Sequence, residues 1–346
     1  MAPALGGPIS IFSELASQSE ATSRGKNLII EQRLAECRYE RMPGSAAELV
    51  QAPIDVLFTM GARAARIVAE TVKTTPLVVY SCDPFEHVTR LARGRGKLTG
   101  VTCLTTELSP KRLELLHDAV PTVSRVMFLH DPQAAPNAWK MTEEAAPRLG
   151  ITLQQAQVGA AEEPLPELAM IAKQRPDALF VSRRRSQLLS SASQVAEFAI
   201  KVQLPMINAF RFFTEAGGLM SYGATASEIY TSAAEQVAKI LGGTPPSELP
   251  LREATRFELV INNRTAKALR LTCRRRCWCA PTRSSSETPR VHHAHRRRGR
   301  PQSLQPLPGR ADSRATLNAR FVIILPTDSS HSRLQEEERC RTTLPA

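Results

Sequence analysis

The stretch that decides the fold is residues 204–225, LPMINAFRFFTEAGGLMSYGAT. It contains two short apolar runs, Pro205–Phe210 and Leu219–Tyr222, separated by a helical turn that ends on two glycines. Apolar runs of this length, bounded by Pro and Gly, are typical of strands buried in a parallel sheet. Each run ends on polar or aromatic residues, so the stretch predicts two core strands whose carboxyl ends face a ligand.

The same pattern continues on both sides of this stretch. Strands are predicted at residues 27–33, 54–60, 76–81, 98–103, 125–129, 151–158, 178–182 and 256–261. Predicted helices lie between them, among them Pro110–Ala119 and Ala226–Leu241. Strands that alternate with helices indicate βαβ units and a parallel sheet. The series starts again near Pro121–Ser124, so the sequence predicts an α/β protein with two doubly wound parallel-sheet lobes joined by a hinge.

The positive charge of the chain is concentrated in its last part. The 346 residues carry a net charge of +12, which taken alone suggests a nucleic-acid partner. Residues 273–346 hold 15 Lys and Arg against 6 Asp and Glu, and therefore account for nine of the twelve net charges. Because the remainder is nearly balanced, no nucleic-acid partner is predicted. The chain is long enough for two domains with cores of their own.

Cysteine usage and the first residues of the chain predict neither a disulfide framework nor a targeting segment. Seven cysteines are present, and Cys37, Cys82 and Cys103 lie in apolar surroundings typical of small core residues. No stretch approaches the ~20 apolar residues of a membrane span. Residues 1–20 lack the basic and apolar regions of a secretory signal, which favours a cytoplasmic location for the chain as translated.

Several stretches resemble one known family. They are GKNLIIEQRLAECRYERMP at 25–43, SCDP at 81–84 with LARGRGKLTGVT at 91–102, FRFFTEAGGLMSYG at 210–223 and RFELVINNRTAKAL at 256–269. Together they are similar to the ABC-transporter substrate-binding proteins, in the family that includes the tryptophan/tyrosine-type binding proteins. The resemblance implies a periplasmic-binding-protein fold of type I and a small organic ligand, with an aromatic amino acid as the first expectation. It also implies a membrane permease with its ATPase as partner, and a periplasmic location.

The resemblance covers residues 25–272 and divides the chain into parts. It implies lobe one at 25–121, lobe two at 122–250 and a segment at 251–272 that returns to the hinge. Residues 1–24 are predicted to be a disordered leader, and residues 273–346 a disordered basic tail. The first strand of lobe one, which the family has before residue 25, is not recognisable. A sheet without that strand would expose apolar surface and unpaired backbone groups, which predicts a copy that does not bind solute.

Both ends are consistent with translation in a shifted reading frame. Back-translation of Cys273–Glu287 with GC-rich codons and a shift of frame gives PPPVLVRADEVIE and a stop, similar to the end of the family's sequences. The same procedure on Ala21–Arg24 gives Tyr-Val-Glu and a glycine codon, as the family shows before GKNLIIEQR. The hypothesis is that both ends are out-of-frame. The alternative is a zinc site or nucleic-acid arm from the cysteines at 273–279 and the histidines at 292–295, but this cysteine spacing fits no common structural-zinc pattern.

Candidate ligand-binding residues follow from the expected sheet edge. Ligands of open parallel sheets bind beyond the carboxyl ends of the strands, where loops and helix N-termini converge. A glycine at a strand-to-helix junction allows close backbone approach, aromatic rings supply a wall, and charged groups suit an amino group or a carboxylate. For each polar candidate, a helix cap or turn is the alternative role. The predicted residues are Met60, Gly61, Ser81, Asp83, His130, Asp131, Ser182, Arg183, Asn208, Phe210, Tyr222 and Gly223.

Two other functions remain open on the same fold. The sequence GARAARIV at 61–68 follows a strand and partly matches a nucleotide-binding fingerprint, although it lacks the second and third glycines. A nucleotide-cofactor-dependent enzyme is therefore one alternative, and an effector-binding regulatory domain is the other. The globular part contains no GxSxG, no phosphate-binding P-loop and no metal-ligand cluster. The prediction is a binding protein without catalytic residues, metal or cofactor.

Overall fold

The structure is a computed structural model and describes residues 28–34, 41–49, 54–82, 96–130, 136–157, 165–182, 192–271, 291–295 and 319–325. The predicted leader at 1–24 and the cysteines at 273–279 lie outside these residues. Within the described part of the chain, no helix is long and apolar enough to cross a membrane.

Lobe one is built on a six-stranded parallel sheet. Its strands are β1 (Leu28–Leu34), β2 (Val56–Met60), β3 (Leu77–Ser81), β4 (Leu98–Thr102), β10 (Arg252–Glu253) and β13 (Ala319–Leu325). Their order is β1-β13-β2-β3-β4-β10, and every pair is parallel. Strands β2 and β4 are covered on both faces, which explains why they are continuous runs of buried residues rather than alternating ones.

Lobe two is built on a seven-stranded mixed sheet. Its strands are β5 (Arg125–His130), β6 (Thr152–Gln157), β7 (Ala178–Ser182), β8 (Met206–Asn208), β9 (Met220–Ala224), β11 (Phe257–Asn262) and β12 (Val291–His295). Their order is β12-β11-β9-β8-β7-β5-β6. The strands from β9 to β6 are parallel, whereas β11 is antiparallel to both β9 and β12. The two doubly wound lobes predicted from the sequence are confirmed.

Helices cover both faces of each sheet. They are α1 (Met42–Leu49), α2 (Ala62–Thr71), α3 (Ser109–Ala119), α4 (Pro136–Ala145), α5 (Leu165–Gln174), α6 (Ala192–Lys201), α7 (Arg211–Glu215), α8 (Ala226–Leu241) and α9 (Asn263–Ala268). In lobe one, Leu57 packs with α1 and α2, while its neighbours Val56 and Phe58 pack with α8. In lobe two, Phe128 packs with α3 and α4, and Met127 with α5 and α6. Successive strand residues point to opposite faces, so each sheet has two cores.

Three connections between the lobes lie within the described residues; a further passage, from β12 to β13, runs through residues 296–318, which lie outside them. Residues 103–108 join β4 to α3, Thr225 joins β9 to α8, and residues 254–256 join β10 to β11. Helix α3 packs in lobe two, whereas α8 and β10 pack in lobe one. The packing therefore differs from the division expected at 121/122 and 250/251, because each lobe receives a helix that follows a strand of the other.

Two segments of the predicted disordered tail are strands. Strand β12 extends the lobe-two sheet beside β11, and β13 lies between β1 and β2 in lobe one. The prediction of disorder is wrong for these two segments. It rested on polar composition, yet residues 321–325, FVIIL, are rich in β-branched residues that favour strands. Lobe one also does not lack an interior strand, because β13 occupies the place between β1 and β2.

Candidate functional site

The predicted site residues that the structure describes lie at the carboxyl edges of the two sheets. In lobe one, Met60 is paired with Tyr80 across β2 and β3, and Ser81 with Thr102 across β3 and β4. In lobe two, His130 is paired with Ser182, and Asn208 with Ser221. Asp83, Asp131 and Arg183 lie outside the described residues and remain predictions.

Aromatic and apolar side chains from both lobes meet beside these edges. Met60 and Tyr80 of lobe one pack against the buried cluster that contains Phe58 and Val101. Phe210 of lobe two packs against the same cluster and also against the lobe-two core around Phe213. The ring of Phe210 therefore contacts both lobes, and the two carboxyl edges adjoin at this point.

Gly61 begins α2 directly after β2. Its backbone has a φ of 88°, a left-handed conformation that favours glycine. Its N–H donates to the carbonyl oxygen of Tyr80 at 2.7 Å, and a Cβ placed on it would meet no atom within 4 Å. The backbone at the N-terminus of a ten-residue helix is thus open to close approach, which suits the predicted role.

A disulfide joins the ends of β3 and β4. Cys82 and Cys103 are bonded with their Cα atoms 4.9 Å apart, and both are buried. The hydroxyl of Tyr80 donates to Cys82 Sγ at 3.1 Å, because a disulfide sulfur has no hydrogen to donate. The prediction that these cysteines are simple core residues is wrong. They follow the paired residues Ser81 and Thr102 on neighbouring parallel strands, and that register brings them together.

His130 and Ser182 are buried at the lobe-two edge within an aromatic group. The imidazole of His130 stacks on Trp139 of α4 at 6.0 Å and meets Phe128 edge-on at 5.1 Å. Phe128 in turn stacks on Phe180 at 4.8 Å. This arrangement gives the edge of lobe two an aromatic lining close to a buried imidazole and a buried hydroxyl.

The contacts of Asn208 and Gly223 are structural. The side-chain amide of Asn208 donates to the carbonyl of Val181 at 2.8 Å, and its side-chain oxygen accepts from the N–H of Phe210 at 2.8 Å. A Cβ on Gly223 would lie 2.1 Å from the carbonyl oxygen of Ala209, so only glycine fits there. Asn208 therefore shapes the turn that presents Phe210, and Gly223 allows two backbone segments to approach closely.

Tyr222 is half-buried in the middle of β9, one residue beyond Ser221, which pairs with the last residue of β8. Its ring lies 6.2 Å from that of Phe257, with a tilt of 37° between them. The backbone carbonyl of Tyr222 accepts a hydrogen bond from Arg112 Nη1 at 3.2 Å. Tyr222 thus offers an aromatic face near the lobe-two edge, while its backbone carbonyl is fixed by the hydrogen bond from Arg112.

Arg112, which sequence reasoning missed, is fully buried below the edge. Besides Tyr222, its guanidinium donates to the carbonyl oxygen of Thr105 and to Ser109 Oγ, and it lies 5.7 Å from the ring centre of Phe180. Burial lowers the pKa of Arg112 to about 9, against the opposing effects of Glu107 and Tyr222. Its burial could have been predicted from the sequence, because Arg112 is four residues before Leu116 and therefore lies on the apolar face of α3.

A second charged group holds the crossings of the chain. Glu228, in the first turn of α8, accepts hydrogen bonds from the N–H and hydroxyl of Thr255 and from the N–H of Arg256, at 2.6–3.0 Å. Glu228 thus ties the third crossing to the second, while Arg112 ties the first crossing to the end of β9. Within the described residues, the three connections between the lobes are held together by these two side chains.

The site offers noncovalent contacts. Its described residues supply aromatic rings, hydroxyls, an imidazole and a helix N-terminus, and no cluster of possible metal ligands occurs among them. Such groups suit recognition of a small organic molecule by stacking and hydrogen bonding. The three described connections between the lobes run beside these edges and are the candidate hinge segments.

Solved structures share this architecture. A conserved domain protein from Vibrio cholerae is 22% identical with a TM-score of 0.68, over 78% of this chain and 93% of that one. The ABC domain in complex with L-Trp from Streptococcus pneumonia is 18% identical with a TM-score of 0.66, over 79% and 94%. The ligand-free, open structure of a substrate-binding protein with adhesive properties from Clostridium difficile is 19% identical with a TM-score of 0.58, over 77% and 90%. These likenesses show the fold.

Sequence comparison gives the family. No curated protein sequence matches the chain. The family model described as ABC transporter substrate binding protein matches residues 16–283, most of the chain. This is a family of substrate-binding proteins, which bind the small ligand that an ABC transporter carries. The chain belongs to the ABC transporter substrate-binding protein family.

Proposed function

We propose that this protein binds an amino acid, with an aromatic side chain as the first candidate, between its two lobes and delivers it to a membrane permease. The observation that carries the proposal is the contact of Phe210 with both lobes at the carboxyl edges of their sheets. The aromatic rings of Trp139 and Tyr222 pack, half-buried, against the lobe-two core that contains Phe128 and Phe180. Rings of this kind stack on an aromatic or apolar ligand body.

Polar groups for the ends of such a ligand are present nearby. The open N-terminus of α2 at Gly61 offers backbone N–H groups and a positive dipole end to a carboxylate. Asp83 and Asp131, each directly after a strand in sequence, are the proposed partners of an amino group, and Arg183 is a second candidate for the carboxylate. The L-Trp complex of the streptococcal relative supports this choice of ligand class.

Closure of the lobes is the proposed functional step. A ligand that contacts both edges stabilises the closed arrangement, and the permease recognises that arrangement. The hinge segments held by Arg112 and Glu228 carry the motion. Strand β13 makes the lobe-one sheet continuous, which supports binding by this copy despite its unusual ends.

An oxidising compartment outside the cytoplasm is the proposed location. The disulfide between Cys82 and Cys103 lies at the site itself, and such bonds persist mainly in secreted or periplasmic proteins. This agrees with delivery of a solute to a permease from outside the cell.

The test begins with a solute panel. Thermal unfolding of the full chain is measured with each of the twenty amino acids and with simple aromatic carboxylates, and the best solute is taken to calorimetry. A bound amino acid raises the melting temperature through preferential binding to the folded state. No rise with any solute would refute the proposal.

Variants then locate the site. We expect Tyr222→Ala to weaken binding by roughly 1–3 kcal/mol, the scale of a lost aromatic contact. Asp83→Asn should weaken binding to a similar extent if that carboxylate meets the amino group. Asp177→Asn is the matched control, because Asp177 bonds Ser124 and Arg125 at the opposite edge of the lobe-two sheet. If all three variants bind the solute as tightly as the unaltered protein, the site lies elsewhere.

A further inference from the structure

The strand β13 is far in sequence from the strands that it separates. Residues 319–325 pair in parallel with all seven residues of β1, and residues 321–324 pair with residues 56–59 of β2. The four residues from Phe321 to Ile324 therefore have a neighbour on each side. A segment from the end of the chain thus occupies an interior position in a sheet whose other strands precede residue 254.

The place between β1 and β2 is one strand wide. Neighbouring strands lie about 4.8 Å apart, so β13 spans the roughly 10 Å between β1 and β2; its removal would open this gap beside β2 and leave β1 without a sheet neighbour among the described strands. Both would then present rows of unpaired N–H and C=O groups toward the gap. The gap fits an extended apolar segment in a parallel register, and FVIIL is such a segment.

We propose that residues 319–325 act as a donor strand in cis, and that the gap between β1 and β2 is a specific binding site for this segment of the chain's own tail. Backbone hydrogen bonds to two neighbours supply the binding, as in strand addition to a sheet edge, but here on both sides at once. Lobe one is complete only when this segment is in place, whereas the parallel part of the lobe-two sheet is built without it.

The donor strand also bears on the candidate site. Because β13 runs parallel to β2, its carboxyl end lies at the same edge as Met60, with Ile324 paired to Thr59. The carboxyl edge of lobe one therefore depends on residues 319–325, which are synthesised after all the other described strands of both sheets. Loss of the tail would disturb that face even though the tail lies outside the lobes in sequence.

Hydrogen–deuterium exchange of the full chain tests the assignment. We expect amides of 321–324 to exchange on the order of 100-fold more slowly than unstructured peptide, like those of β2. Ile323→Pro removes a ladder N–H from a strand with neighbours on both sides. This variant should lose protection at 28–34 and 56–60 by about ten-fold or more, while 125–130 and 178–182 keep theirs. Ser303→Pro, in a proline-rich stretch of the same tail, is the matched control and should change nothing.

A peptide completes the test. The synthetic segment 318–326, NARFVIILP, added to the Ile323→Pro variant should restore protection of β1 and β2, whereas the same peptide carrying Ile323→Pro should not. Rapid exchange of 319–325 in the unaltered protein, or unchanged protection in the variant, would overturn the proposal. A dimer whose β13 protection disappears on dilution would also overturn it, because the strand would then come from a second copy.

Discussion

Opening the disulfide between Cys82 and Cys103 should lower the stability of lobe one by about 3 kcal/mol. The two cysteines are 21 residues apart, and the chain entropy that closing such a loop removes from the unfolded state corresponds to about 3 kcal/mol. For a unit of this size, each kcal/mol moves the melting temperature by roughly 2–4 °C, so the expected decrease is roughly 6–12 °C. The bond is buried, and hydrogen bonds from Tyr80 and Thr105 hold its two sulfurs.

The assay compares thermal unfolding of the protein with and without a reductant. The chain has five further cysteines, so the double variant Cys82→Ser, Cys103→Ser is needed to assign the effect to this bond. It should melt near the temperature of the reduced protein and lose most of its response to reductant. Cys340→Ser, in the tail, is the control and should keep the response. If both thiols are alkylated without reduction, or if reduction leaves the transition of the unaltered protein in place, the reasoning fails.

Three further predictions concern charged groups and are checked by denaturant unfolding. Burial alone would raise the pKa of Asp177, but hydrogen bonds from Arg125 and Ser124 outweigh it and lower the pKa below its usual value. This stability is therefore present above about pH 4 and lost as the pH falls through the lowered pKa, so Asp177→Asn should cost about 1 kcal/mol at pH 7 and little at pH 2. Glu228→Ala removes three hydrogen bonds from a crossing and should cost about 1–2 kcal/mol and change ligand affinity, whereas Glu235→Ala, on the same helix, should leave affinity unchanged. Arg112→Met should cost about 2 kcal/mol, because relief of the buried charge offsets part of the lost bonding; a loss above about 5 kcal/mol would contradict this account.

The core strands were predictable because they are short apolar runs with clear ends. The strand expected at 178–182 and the helix at 226–241 agree with the structure at both ends. The strand expected at 54–60 begins two residues later, at Val56. Each of these elements is bounded by Gly, Pro or a polar residue, and its apolar pattern marks it even where its packing partners are distant in sequence, as they are for α8 on the lobe-one sheet. Local pattern and tertiary packing therefore agree there.

The site was less predictable because its roles depend on contacts between distant residues. Asn208 was expected to face a ligand, yet its amide bonds Val181, which is 27 residues away. Gly223 was expected to admit a ligand, yet the carbonyl of Ala209 lies against it. Phe210 follows β8 by two residues and Tyr222 is the third residue of β9, so both lie near the carboxyl edge of the sheet, and their roles as ligand contacts stay predictions.

The tail shows the limit of composition as a guide. Its charge and polar residues indicate disorder when averaged over 273–346, while five consecutive residues, FVIIL, have the opposite character. Whether such a run forms a strand depends on a gap in a sheet formed some 260 residues earlier, and local pattern does not report that gap. The hypothesis of shifted reading frames concerns how the ends arose. The pairing of β13 concerns what the resulting residues do, and the two are independent.

The backbone of β9 and Thr225 connects the candidate site to the connections between the lobes. The carbonyl of Tyr222 accepts from Arg112, whose other bond to Thr105 reaches the first crossing, and β9 leads through Thr225 into α8, where Glu228 holds the third crossing. If a ligand stacks on Tyr222 as proposed, it restrains the strand from which two of the three described crossings are held. Binding at this residue would then bias the position of the lobes, because a ligand shifts a conformational equilibrium by its differential contacts with the two states. The short path from ring to carbonyl to crossing makes Tyr222 the residue where affinity and closure are expected to change together.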